Sequence, residues 1–90
     1  MGAVATAIQD KLSKALAPSR LDLVDDSARH SGHAGAGTAG ESHFNLLVES
    51  AAFVGLGPVA RQRLVMQILA EELAGPVHAL SIKARAPGEA

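Results

Sequence analysis

Apolar side chains recur near the start of the chain at Ile8, Leu12, Ala15 and Leu16, with Gln9, Asp10, Lys11 and Lys14 off that stripe. Spacings of three and four residues mark one face of an α-helix, and Pro18 ends it. Leu21-Asp22-Leu23-Val24-Asp25 then changes to the two-residue alternation of a half-buried strand. From about Ser27 to Ser42 the pattern disappears. Gly32, Gly35, Gly37 and Gly40 stand among small side chains that can bury little, which predicts a long flexible loop. Alternation returns with Phe44, Leu46 and Val48 against His43, Asn45 and Glu49, a second strand expected to pair antiparallel with the first. Gly55-Leu56-Gly57-Pro58 is a break, with Pro58 suited to a first helical position. The second helix is expected to run to about Ala74. Leu64, Val65, Ile68, Leu69 and Leu73 form its apolar side, and Arg63, Gln67 and Glu71 form a solvent row. Gly75-Pro76 closes it. Val77 to Arg85 reads as a third strand with His78, Leu80, Ile82 and Ala84 on one face, and the tail from Pro87 to Ala90 is expected to fray.

Helix, strand, strand, helix, strand is an α+β order. Its last strand is reached by a crossover, which is right-handed by rule. The expected architecture is one domain over residues 1–90: a three-stranded mixed sheet with both helices on one face. Composition narrows what such a domain can do. No stretch approaches the roughly 20 apolar residues of a membrane span, and no signal-peptide pattern opens the chain. Met1 to Thr6 fits the short N-myristoylation pattern, but a cytoplasmic protein is the preferred reading. Eight basic and nine acidic residues leave a net charge of −1, so composition forces no polybasic face. Phe44 and Phe53 are the only aromatic rings of the Phe, Tyr and Trp kind, too few for a base-stacking platform.

Chemistry concentrates on imidazole. The chain has four histidines and no cysteine, so histidine is its one soft neutral metal ligand. Iron–sulfur and structural zinc sites normally use thiolates; a metal of that kind would have to be shared with a partner that brings them. His30 and His33 stand three apart in the glycine-rich segment, His43 opens the second strand on its outward side, and His78 lies two residues past Pro76. Core-face parity next to a strand end places His78 at the rim, half sheltered. His43 reads as structural or simply exposed. Arg61 and Arg63 stand early in the second helix, where cations oppose the helix dipole; they read as ordinary surface charge or as guanidinium groups for a carboxylate or phosphate, and with Lys83 and Arg85 they are the cations of a DNA-binding reading. No serine sits in a nucleophile elbow and no thiol exists, so the reading is of a protein that is not an enzyme.

Val24-Asp25-Asp26-Ser27, His30-Ser31-Gly32-His33, Glu41-Ser42-His43-Phe44, Phe53-Val54-Gly55, Arg61-Gln62-Arg63 and Val77-His78-Ala79-Leu80 together resemble the BolA family, over nearly the whole chain. That resemblance implies an αββαβ fold similar to the class II KH domain. It also implies a [2Fe–2S] cluster held jointly with a monothiol glutaredoxin and glutathione, and none held by this chain alone. His78 matches the family's C-terminal histidine. His33 matches the loop histidine that a second subgroup replaces by cysteine, with His30 as its substitute. The expected role is iron–sulfur cluster trafficking or iron-responsive regulation, with a DNA-binding transcriptional regulator as the alternative. Such a protein when free would be a monomer or weak homodimer. One departure is Gln62, where the family usually carries histidine between the two arginines.

Overall fold

Ala5, Ile8, Leu12 and Leu16 fall on one side of the first helix, α1 (Ala3–Leu16), and all four are buried. Ala15, expected on that stripe, is exposed. Ala17 ends the helix in the left-handed region (φ 44°), its N–H donating to Ser13 O, before Pro18 forbids another turn. The computed structural model describes residues 2–26 and 42–89. The expected loop from Ser27 to Ser42 lies outside the described residues, apart from Ser42 itself.

Two strands follow, β1 (Arg20–Asp25) and β2 (His43–Glu49), paired antiparallel with Arg20 opposite Glu49 and Asp25 opposite Phe44. After β2, a single 3₁₀ turn (Ala51–Phe53) places the Phe53 ring fully inside the core. Ser50 makes that turn possible. Its buried hydroxyl donates to Leu16 O at 2.6 Å and accepts from Ala52 N–H at 3.1 Å, joining the end of α1 to the end of β2. Periodicity does not reveal this turn, because three residues are too few to show a period.

The second helix differs from expectation. It runs as α2 (Pro58–Ile68), bends at Leu69 (φ −101°, ψ 22°), and resumes as α3 (Ala70–Ala74). Leu69 N–H still donates to Val65 O and Leu73 N–H to Leu69 O, so helical hydrogen bonds bracket the bend on both sides. Past the bend, Glu72 meets Lys11 Nζ of α1 at 2.8 Å, and Lys11 also reaches Glu71 at 3.1 Å. These carboxylates, Glu72 first, raise the Lys11 pKa.

The last strand, β3 (Ala79–Arg85), runs parallel to β2, from Ala79 opposite His43 to Arg85 opposite Glu49. It starts two residues later than expected, because Val77 N–H is still bonded to Glu72 O at the helix end. Sheet order is β1-β2-β3. Phe44, Leu46 and Val48 face α1 and α2 together with Leu21, Leu23, Leu80, Ile82 and Ala84, and this is the core. The opposite face, with Asp22, Asn45, Ser81 and Lys83, is exposed. Among the described residues no helix is long and apolar enough to cross a membrane.

Candidate functional site

Parallel pairing brings the starts of β2 and β3 to one end of the sheet, so His43 and His78 become neighbours. Their ring centroids are 6.4 Å apart with 28° between planes, a loosely stacked pair. His78 is exposed rather than half sheltered. The reason is local: alternation between faces begins only with the strand at Ala79, and His78 precedes it. Its backbone is nonetheless fixed. Val77 is buried on one side, and His78 N–H donates to Ser42 O at 2.8 Å. The imidazole therefore projects into solvent from a held backbone. His43 is half-buried, with Nδ1 2.9 Å from Ser42 Oγ; its tautomer decides which atom donates.

Asp26 N–H donates to His43 O at 2.7 Å, while Ser42 O accepts from His78 and Ala79. The segment carrying His30 and His33 thus leaves the sheet and returns to it beside this histidine pair. Those two residues lie outside the described part of the chain. Among the described residues no group of three or more His, Cys, Asp or Glu side chains could hold a metal ion. Two exposed or half-exposed imidazoles suit partial ligation of a soft metal centre whose other ligands come from elsewhere. From sequence, His43 reads as structural or simply exposed rather than as a site. The signal lay in the crossover: a parallel β2–β3 pair sets the two strand starts, and both histidines, side by side.

The four cations divide. Arg61, Lys83 and Arg85 line one groove with Pro58, Gln62 and Ile82, while Arg63 borders a separate hollow beside Leu56 and Val59. Arg61 is held by Glu89 through a two-pronged contact, Nη1 to Oε1 at 2.6 Å and Nη2 to Oε2 at 2.9 Å. Through Glu89, the segment expected to fray is therefore held; Ala90 lies outside the described residues. Gly88 (φ 88°) turns it back so that Glu89 also accepts from Ala86 N–H at 3.0 Å. Arg61 first, then Ala86 N–H, lower the Glu89 pKa to about 2. Arg85 pairs with Glu49 at 3.0 Å. The Ser19 hydroxyl, more than Arg85, holds the Glu49 carboxyl below its usual range. Gln62 serves the fold: its Nε2 donates to Ile82 O at 2.9 Å, tying α2 to β3.

A family profile described as BolA-like protein matches residues 12–89. BolA-like protein 1 of Homo sapiens is 47% identical over 89 residues, covering 99% of this chain and 62% of that protein. The chain thus spans about three fifths of the length of such relatives. The DNA-binding transcriptional regulator BolA of Vibrio cholerae is 47% identical over 75 residues, covering 83% of this chain and 67% of that protein. Among solved structures, the BolA domain of SufE1 from Arabidopsis thaliana superposes with a TM-score of 0.87 at 42% identity, covering 100% of this chain and 99% of that one.

Proposed function

Because this chain belongs to the BolA-like family, we propose that it is a non-enzymatic partner of a monothiol glutaredoxin, to which it presents imidazole ligands for a shared [2Fe–2S] cluster. Its task on this reading is cluster trafficking or iron-responsive regulation. The observation that supports it best is the exposed His78 ring, 6.4 Å from His43, at the sheet end where the segment bearing His33 and His30 is attached. A cysteine-free chain can contribute no thiolate, so its donor set fits a cluster whose thiolates come from the partner protein and from glutathione. When bound, such a cluster supplies one-electron chemistry and a transferable iron–sulfur unit.

The residues of this chain do the positioning. His78 loses little freedom on ligation, since its backbone is already held by Ser42 O and by the burial of Val77. His43 stacks beside it and limits where the ring can turn. Only a neutral imidazole can ligate, so a proton competes with iron at that nitrogen.

The test is a mixture of this protein with a monothiol glutaredoxin, iron, sulfide and glutathione, followed by visible absorption and circular dichroism. A mixed-complex spectrum distinct from that of the glutaredoxin homodimer is expected, and His78→Ala is expected to abolish it. An unchanged mixed spectrum from His78→Ala would overturn the assignment. The name of the Vibrio cholerae relative favours a second reading, a DNA-binding regulator using Arg61, Arg63, Lys83 and Arg85. Salt-dependent micromolar binding to duplex DNA, lost on charge removal at Arg63 and Lys83, would support it.

A further inference from the structure

At the far end of the β2–β3 ladder from the histidines, about 20 Å away at strand rise, a groove of about 320 Å³ follows the outer edge of β3. In a parallel pair, the N–H and C=O of alternate residues point to the neighbouring strand. Ala79 N–H donates to Ser42 O and Arg85 O accepts from Ser50 N–H, so the odd-numbered residues of β3 face β2. Leu80, Ile82 and Ala84 therefore turn their backbone groups outward. Gln62 takes the Ile82 carbonyl, and among the described residues the N–H groups of Ile82 and Ala84 have no partner along the groove. The charges beside them are nearly balanced. Arg61 and Arg85 each hold an internal carboxylate, Glu89 and Glu49, and Lys83 has no ion-pair partner among the described residues.

We propose that this groove receives an extended, acidic peptide segment of a partner protein, which lies along the β3 edge and exchanges its own carboxylate for that of Glu89 on Arg61. Glu89 shows what the Arg61 fork accepts: a planar carboxylate taken by both Nη atoms. It is also a replaceable occupant, on a three-residue return turned at Gly88 and still 44% exposed on its side chain. The Arg61 Nε–H is buried with no hydrogen-bond partner among the described residues, so the present occupant leaves part of the guanidinium unused. One unpaired lysine suits one or two added carboxylates. It does not suit the row of charges on a nucleic-acid backbone, whose binding relies on many released counterions. The open N–H groups of an edge strand are what an extended peptide uses.

An acetylated, amidated Val-Glu-Val-Glu-Val peptide serves as the probe, titrated into the full chain by NMR. Glu89→Gln is expected to bind it at least about threefold more tightly than the unaltered chain, the scale of losing an exposed competing ion pair. Lys83→Ala, which leaves the Glu89 contact in place, is expected to bind at least about threefold more weakly. Amide exchange at Ile82 and Ala84 should slow on binding while that at Ser81 and Lys83 stays unchanged. Equal affinity for the unaltered chain and Glu89→Gln, unprotected Ile82 and Ala84, or tighter binding of a short DNA duplex than of the peptide would each overturn the proposal. Glu89 and Lys83 are exposed, and a dispersed amide spectrum unchanged away from the substituted site verifies that each variant is folded.

Discussion

Glu89 ties the segment after β3 to the body of the fold, and the contact carries its own pH signature. Its carboxyl titrates at about 2 instead of 4.5, mainly through Arg61. A depressed folded-state value means the contact stabilises fully above the ordinary carboxylate range and is lost as pH falls from about 4.5 toward 2. Glu89→Gln should therefore unfold at a lower temperature than the unaltered chain at pH 6. The gap should close as pH approaches 2; a gap independent of pH would mean the charge contributes nothing. The histidines make a second residue-scale prediction. His78 starts from a held backbone, and its exposure means that His78→Ala should leave stability within about 0.5 kcal/mol. On the proposed function, His33→Ala should alter the mixed-cluster spectrum but leave a complex, because His30 stands three residues away as a substitute. Complete loss in His33→Ala with retention in His78→Ala would reverse the ranking.

Elements are joined here by a few buried polar atoms. Ser50 is fully buried, and its hydroxyl serves the last carbonyl of α1 and the Ala52 N–H of the 3₁₀ turn at once. Ser50→Ala would strand the Leu16 carbonyl in the core, where an unsatisfied acceptor costs about 1–3 kcal/mol. Urea denaturation should report that loss with little change in slope. Gln62 plays a comparable part across the α2–β3 gap by covering one outward carbonyl of an edge strand. The Lys11 contacts to Glu71 and Glu72 join α1 to α3, and the bend at Leu69 aims them. Helix boundaries, the bend and the 3₁₀ turn all belong to this level, and each depends on a partner distant in the chain.

Across the whole molecule, one apolar cluster draws on both long helices, all three strands and the 3₁₀ turn. Phe53 lies at its centre with no exposed surface. Phe53→Ala is expected to cost about 3–5 kcal/mol, a large part of the stability of so small a domain, measurable by urea denaturation. A loss under 1 kcal/mol would mean that the cluster refills the space. The strands, the helix faces and the antiparallel β1–β2 pair were legible in the sequence, because binary patterning at periods of 2 and 3.6 is a local property of the chain. So was the family, through short motifs in a fixed order. What the sequence left open was everything set by contact between distant residues. The exposure of His78 follows from where β3 begins, which Glu72 decides through Val77. The His43–His78 pair exists because β2 and β3 are parallel and in register. The capture of Arg61 by Glu89 requires a turn at Gly88 that brings together side chains 28 positions apart. Periodicity says which face a side chain takes, while tertiary packing alone chooses its neighbours, because those neighbours are far away in the sequence.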